Sequence, residues 1–188
     1  MGAALRALGI DLKPLADLAP ATLASYRGLI VEREAHEKNL LGIRESNANL
    51  LDFIHAGGVV VLIQPQDSSW QASWLPAPLE LSNSSGSLGE IVAPDHRIFS
   101  TPNKIDSLQG VVSYDTITKA DEAWTVLATD DRGHPSIVEM SDGEGRVLVV
   151  QPSPDRYVVG EAAVKEPLTV EVCAQFIENL VAYLSVEK

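Results

Sequence analysis

The chain has 188 residues, and its 14 lysines and arginines against 26 aspartates and glutamates give a formal net charge of −12 at pH 7. Apolar residues make up 45% and charged residues 21% of the chain, which predicts one folded domain with a sizeable core. No basic residue lies between Arg44 and Arg97. The composition therefore argues against nucleic acid, anionic membranes and phosphate-rich ligands as partners.

The single cysteine, Cys173, excludes an internal disulfide framework and a cysteine-based zinc cluster. Residues 1–20 lack the layout of a signal peptide, and no stretch approaches the ~20 apolar residues of a membrane span. As written, the sequence predicts a cytoplasmic chain that does not enter a membrane. If the sequence is a piece of a longer, exported protein, its first residues say nothing about location.

The first half of the chain predicts a βαβ unit. Residues 3–8 are expected to form a short helix, and the apolar run 28–31 is typical of a buried strand. A helix is predicted to begin after Ser46 and to end at Gly57 and Gly58. Residues 59–63 then form a second buried strand. A strand, a helix and a second strand in this order build parallel sheets.

The second half predicts shorter strands and one long helix. Residues 64–90 are rich in Pro, Ser, Gln and Trp, which indicates a loop-rich insertion with edge strands at 79–81 and 88–93. Further strand candidates are 110–113, 124–128, 137–140 and 146–151, and residues 141–145 join the last two as a hairpin. From Pro167 to Leu184 the apolar residues recur at helical spacing.

Together these elements predict an α/β fold: a mostly parallel, flavodoxin-like sheet with helices on both faces and an antiparallel edge hairpin. Residues 1–188 are expected to form a single domain, because no linker divides them.

Nucleophiles and metal ligands give weak signals. Cys173 lies on the apolar stripe of the last helix, which favours a small buried hydrophobe over a reactive thiolate. The four histidines lack the spacing of a metal site, so no metal and no cofactor are expected. Ser68 and Ser69 follow a buried strand, as a hydrolase nucleophile would, but without the Gly-x-Ser-x-Gly elbow.

Two tryptophans in the Pro-rich segment are a more informative feature. Trp70 and Trp74 follow the carboxyl end of the predicted strand 59–63. They are able to stack on sugar rings or to form a partner-binding patch. The alternative is that they anchor a long loop to the body of the protein.

The order of segments resembles the class I glutamine amidotransferase-like domains. The matching runs are NLLDFIHAGGVVVLIQPQ (49–66), WLPAPLEL (74–81), IVAPDHRIFSTPNKI (91–105), WTVLA (124–128) and GEGRVLVVQ (143–151). The chain is most similar to the non-catalytic branch in proteins that handle carbohydrates: ThuA-like proteins, domains attached to PIG-L-type deacetylases, and the trimerisation domain of some β-galactosidases. The resemblance covers residues 3–184.

Two positions depart from the catalytic members of that family. The resemblance implies a cysteine on a strained Gly-x-Cys-x-Gly elbow, where this chain reads Ile63-Gln64-Pro65. It also implies a Gln-Phe-His-Pro-Glu pattern, where this chain has Gln151-Pro152-Ser153-Pro154-Asp155, with serine at the histidine position. Without a thiolate and an imidazole the glutaminase reaction is ruled out on this alignment, while the fold can persist.

The resemblance also implies a buried first strand ahead of the helix at 3–8, which this chain lacks. We hypothesise that the first strand is missing, because the chain is a fragment or diverged, or that another chain supplies it.

These observations favour a non-catalytic binding or assembly module linked to carbohydrate processing, with a carbohydrate, a protein or a second copy as partner. The alternatives are a serine hydrolase that uses Ser68 or Ser69 with His96 and Asp67 or Asp95, and a structural subunit of a larger complex. A ligand site is expected at the carboxyl ends of the strands. The candidate ligand-binding residues are Glu32, Arg33, Gln64, Gln66, Trp70, Trp74 and Ser153.

Overall fold

The computed structural model describes residues 1–66, 74–159 and 167–185. Seven strands form one mixed sheet in the order β1-β2-β9-β8-β7-β4-β5, and two strands form a second, antiparallel sheet, β3-β6. The strands are β1 Gly28–Val31, β2 Val59–Ile63, β3 Leu79–Ser82, β4 Gly86–Ile91, β5 Val112–Ser113, β6 Thr116–Ala120, β7 Thr125–Asp130, β8 Pro135–Asp142 and β9 Gly145–Val150.

The helices lie between and around these strands. They are α1 Gly2–Ala7, α2 Pro20–Leu23, α3 Arg33–Glu37, α4 Asn47–His55, α5 Arg97–Ser100, α6 Asp155–Val159 and α7 Pro167–Leu184, with a 3-10 turn at Leu40–Gly42. Within the described ranges, no helix has both the length and the apolar character required to cross a membrane.

The parallel part of the sheet consists of β1, β2 and β9. Val61 of β2 pairs with Ile30 of β1 on one side and with Leu148 of β9 on the other. All five β2 residues are buried, as expected for β-branched and leucine side chains with a layer on each face. The remaining strands continue antiparallel from β9 through the β8-β9 hairpin.

Each face of the sheet is covered by helices. Val60 and Leu62 point into a hydrophobic cluster with Leu50 and Ile54 of α4, which also includes residues of β3 and β6. Val59, Val61 and Ile63 point into the opposite cluster, where the helical partners are Ile98 and Phe99 of α5 and Cys173, Phe176, Leu180 and Tyr183 of α7. Alternation along β2 thus assigns successive residues to opposite layers.

The β8-β9 hairpin needs glycine because it packs tightly against the end of α4. A Cβ atom at Gly145 would collide with the carbonyl oxygens of Ile54 and Gly58. Gly143, in the turn itself, has a φ of 60°, which glycine adopts without strain. The hairpin is therefore held closely against the α4 end of the βαβ unit.

The structure confirms the α/β class, the parallel βαβ unit, the helices on both faces, the hairpin and the last helix. The antiparallel part is larger than the predicted single edge hairpin, because β7, β4 and β5 extend it. The predicted strand at 28–31 is present, but it is fully buried only at Leu29 and Val31, whereas Gly28 and Ile30 are half-buried. β1 is a terminal strand, which leaves one of its edges open.

Candidate functional site

Polar side chains gather at the carboxyl ends of β1, β2 and β9, where open α/β sheets place their ligands. They surround a cavity of about 420 Å³. Its lining residues are Met1, Glu32, Arg33, Glu34, Glu37, Ile63, Gln64, Tyr114, Asp155 and Arg156. Three predicted site residues, Glu32, Arg33 and Gln64, are therefore brought together here.

Gln64 occupies a strained turn directly after β2. Its φ is 51°, in the left-handed region that a non-glycine residue seldom adopts. The backbone N–H of Gln64 donates to the carbonyl oxygen of Val150 at 2.8 Å. Its side-chain Nε2 donates to Asp155 Oδ1 at 3.3 Å, and the residue is only 7% exposed. The turn after β2 thus carries a carboxamide bound to a carboxylate.

Two carboxylates hold the start of α1 in this cavity. The α-amino group of Met1 lies 2.9 Å from Asp155 Oδ2 and 3.6 Å from Glu32 Oε2. The backbone N–H of Gly2 donates to Glu32 Oε1 at 2.9 Å. These contacts link α1 to the strand ends and neutralise much of the local negative charge.

Two arginines lie close to Tyr114, which also lines this cavity. The guanidinium carbons of Arg33 and Arg156 lie 5.4 Å and 5.0 Å from the centre of the Tyr114 ring, within range of a cation–π interaction. Arg33 Nε donates to Glu37 Oε1 at 3.0 Å. Gln66 joins this pair when its amide oxygen accepts from Arg33 Nε at 3.2 Å and its amide nitrogen donates to Glu37.

Tyr114 also borders a second cavity of about 510 Å³. The other residues that line it are Gln66, Asn83, Ser84, Ser85 and Asp115. Amides and hydroxyls predominate in this second cavity, whereas charged side chains predominate in the first, and Tyr114 lines both. We call the two cavities together the strand-end site.

The remaining predicted site residues do not join the strand-end site. Ser153 is fully buried, and its hydroxyl has no hydrogen-bond partner in the described part of the chain. Trp74 is 7% exposed and packs in the hydrophobic cluster with Leu79 and Trp124, which matches the anchoring alternative. Trp70, with Asp67, Ser68 and Ser69, lies outside the described residues.

The single thiol is unsuited to act as a nucleophile. Cys173 is fully buried on α7, where burial and then the negative charge of Asp155 raise the pKa of the thiol to about 12. A thiol with such a pKa stays protonated at neutral pH. Over residues 1–66, 74–159 and 167–185, no cluster of three or more histidine, cysteine or acidic side chains could hold a metal ion.

Sequence reasoning missed Tyr114, Asp155 and Arg156 as site residues. Tyr114 follows the predicted strand 110–113, and Asp155 follows the strand that ends near Gln151, so each stands just beyond a strand. Their position just beyond a strand was the feature of the sequence that could have indicated them as site residues. The proximity of Arg33 and Arg156 to Tyr114 depends on tertiary contacts that no local pattern reveals.

Comparisons with known proteins bear on the fold. No family model matches the chain, and no curated protein matches its sequence. Among solved structures, cytoplasmic protein STM1381 of Salmonella typhimurium LT2 is 16% identical, with a TM-score of 0.62, covering 97% of this chain and 84% of that chain. A Thermoplasma acidophilum protein assigned as one subunit of GMP synthase is also 16% identical, with a TM-score of 0.52, covering 94% and 87%.

A third similar structure is the cold-adapted β-galactosidase of Rahnella sp. R3, at 14% identity and a TM-score of 0.53. The match covers 98% of this chain but only 26% of the enzyme. At such identities these likenesses show the fold alone. The fold of this chain thus occurs both as a separate protein and as a part of a larger carbohydrate-processing enzyme.

The positive φ of Gln64 predicts that glycine at this position is more stabilising than alanine, the reverse of the usual order. Gln64→Gly and Gln64→Ala both remove the side-chain amide, but only alanine keeps a Cβ atom at positive φ. The free energy of unfolding of the glycine variant should therefore be about 1 kcal/mol higher than that of the alanine variant. Urea unfolding of both variants measures the difference. The same pair of substitutions at Gln109, which is exposed and lacks a positive φ, should not favour glycine. A more stable alanine variant at position 64 would contradict the turn geometry.

The buried histidine of α3 predicts a pH dependence of stability. His36 is 4% exposed, and burial together with the nearby Arg44 charge lowers its pKa from 6.5 to about 4. Between these pH values the unfolded chain binds a proton that the folded chain does not, so the free energy of unfolding should fall by up to about 3 kcal/mol as pH drops from 6.5 to 4. Urea unfolding measured between pH 6.5 and 4 should show that the free energy of unfolding of His36→Phe falls less steeply with decreasing pH than that of the unchanged chain. An equally steep fall would contradict the lowered pKa of His36.

Proposed function

We propose that this chain is a non-catalytic glutamine amidotransferase-like module that binds a neutral, hydroxyl-rich ligand at the strand-end site, in connection with carbohydrate processing. The observation that carries the proposal is Gln64 on its strained turn, with its carboxamide bound to Asp155. The sequence resemblance assigns this turn to the nucleophile in catalytic relatives. Here the turn keeps the strained backbone but presents an amide.

An amide in this position supports binding rather than acyl transfer. A carboxamide donates and accepts hydrogen bonds but does not attack a carbonyl carbon. Asp155, the residue aligned with the acid of the catalytic pattern, is engaged with Gln64 and the Met1 α-amino group. Two of the three aligned triad positions, Gln64 and Asp155, therefore form a hydrogen-bonded support for the cavity.

The balance of donors and acceptors favours a neutral ligand. Carboxylates at the site are accompanied by side-chain cations, since Glu37 contacts Arg33, Glu34 contacts Lys38 at 2.8 Å, and Arg156 lines the same cavity. The second cavity adds the amide of Asn83 and the serine hydroxyls. Hydroxyl groups of a sugar can satisfy donors and acceptors of this kind without bringing a charge that would need a counterion.

The link to carbohydrate processing is supported by the sequence resemblance and by the fold. The sequence resembles domains of proteins that handle carbohydrates, and the fold matches a part of a β-galactosidase. Because that part is a minor share of the enzyme, assembly with a larger protein or with further copies of the chain belongs to the same proposal.

The hydrolase alternative depends on residues outside the described ranges, Ser68 and Ser69. The structure places its histidine, His96, against the sheet: Nδ1 accepts from the backbone N–H of Ile98 at 3.5 Å, and Nε2 lies 3.3 Å from Glu139 Oε1. Tyr183 also donates to Glu139. Because both ring nitrogens of His96 are engaged, the side chain connects α5 to β8 and is not available as a catalytic base. This favours the binding module over the hydrolase. The third hypothesis, a structural subunit of a larger complex, predicts that no ligand binds.

Tyr114→Ala should weaken binding of neutral sugars by about tenfold or more, because it removes the ring shared by both cavities. Calorimetric titration with lactose, galactobiose and cellobiose measures the effect, with glucuronate as a charged comparison. Tyr26→Ala, at another half-buried tyrosine, is the matched control and should leave affinity unchanged.

The same preparations should release no ammonia from glutamine above background. A serine-directed covalent probe should leave the chain unlabelled. Turnover of glutamine, labelling of a serine, or equal affinity of the Tyr114→Ala and wild-type chains would each contradict the proposal. Absence of binding to all sugars, with a large assembly by light scattering, would support the alternative of a structural subunit.

A further inference from the structure

The outer edge of β1 carries backbone groups without partners. The carbonyl oxygen of Arg27 accepts from the N–H of Val59 at 3.0 Å, so the backbone of alternate residues, Leu29 and Val31, also faces β2. The N–H and C=O groups of Gly28 and Ile30 therefore face outward. Within the described ranges no backbone hydrogen bond reaches them from that side.

A cavity of about 730 Å³ runs along this open edge. One wall contains Leu5 and Leu184, which pack on the α7 side of the sheet. The other wall contains Leu18 and Ile43, which belong to the hydrophobic cluster on the α4 side. The cavity thus continues the plane of the sheet between its two layers, and we call it the β1 slot.

The slot combines apolar walls with polar backbone at its base. An apolar small molecule would cover the donors and acceptors of Gly28 and Ile30 without satisfying them, at a cost of about 1–3 kcal/mol for each buried group. An extended peptide satisfies those groups and fills both walls with alternate side chains. The chain's own segment 10–15 lies along the slot but makes no backbone hydrogen bond to β1.

The charged side chains in and beside the slot are mostly cationic. Near the amino end of β1 lie Lys13, whose Nζ is 5.3 Å from the centre of the Tyr26 ring, and the exposed Arg27. Neither is ion-paired in the part of the chain that the structure describes. At the other end Glu32 already contacts Met1 and Gly2. Arg6 and Asp11 also line the slot. The cations Arg6, Lys13 and Arg27 therefore outnumber Asp11, and the available charge is positive overall, with two of the three cations near the amino end of β1.

We propose that the β1 slot binds one extended, apolar segment of another polypeptide, with acidic residues at the end that lies beside Lys13 and Arg27. The segment adds a strand to the sheet. A second copy of this chain is a poor occupant through its own β1, because the walls that form the slot flank β1 in every copy and keep it recessed. The inference concerns a surface next to the strand-end site and does not depend on the proposed function.

The test uses the full chain labelled with ¹⁵N and an acetylated, amidated octapeptide of sequence Asp-Glu-Val-Val-Val-Leu-Ile-Gly, together with its reversed sequence. One of the two peptides should bind saturably, and it should slow hydrogen exchange of the Gly28 and Ile30 amides by at least about tenfold. A peptide of the same sequence with N-methylated valines keeps its side chains but loses backbone donors, and should not bind.

Charge reversal supplies the matched variants. Lys13→Glu should lower the affinity for the acidic peptide by about tenfold and should raise the affinity for a peptide with Lys-Lys in place of Asp-Glu. Lys104→Glu, at another exposed lysine, should change neither affinity.

Four results would overturn the proposal: neither peptide binds, the N-methylated peptide binds equally well, Lys13→Glu has no effect, or the Gly28 and Ile30 amides are already protected in the free chain. The last result combined with a dimeric mass would identify a second copy as the occupant. The sugar titration monitors the site at Tyr114, whereas the peptide titration monitors the edge of β1. A negative result in one experiment therefore does not affect the conclusion drawn from the other.

Discussion

Burial of β2 on both faces and along both edges is the constraint on which the rest of the structure depends. All five residues of the strand are buried, and β1 and β9 pair with it in parallel. Removing five such side chains from water contributes on the order of 10 kcal/mol before entropy is counted, similar to the whole net stability of a domain. The strand cannot shift by one residue, because the shift would exchange the residues that face the two layers.

The position of β2 also determines the position of the turn beyond it. Gln64 is forced to turn immediately beyond the sheet, where the N–H bond to Val150 ties the turn to β9. The same register brings Asp155, which lies beyond β9 in the chain, within reach of the Gln64 amide. A strained turn supported in this way can hold a nucleophile or a binding group equally well, since the strain belongs to the backbone. A change of side chain at this turn therefore leaves the backbone shape of the site intact.

The parts of the fold that could be predicted from sequence are those with a strong local pattern. The run 59–63, the glycines before it and the apolar periodicity of α7 each specify their element directly. The short helix α3 and the strand β6 were missed, because Arg33–Glu37 is charged on most sides and Thr116–Ala120 alternates only weakly. The edge position of β1 follows from sheet order, which depends on pairing between distant residues.

The site was predictable to the level of its location. Glu32, Arg33, Gln64 and Gln66 were expected at the strand ends and do meet there. Trp74 was predicted as a ligand-binding residue because it follows the strand 59–63 in a Pro-rich segment, but it is 7% exposed and belongs to the hydrophobic cluster that also contains Trp124. Tyr114 lines both cavities instead, because it directly follows the short strand β5 and lies close to Arg33 and Arg156.

The claim that binding has replaced catalysis at the strand ends is tested most directly by mapping amide chemical shifts of the ¹⁵N-labelled chain during titration with a neutral oligosaccharide. We predict saturable shifts that cluster at Gln64, Gln66, Asn83 and Tyr114, with the sugar recovered unchanged. Shifts confined to another surface, or conversion of the sugar during the titration, would contradict the claim.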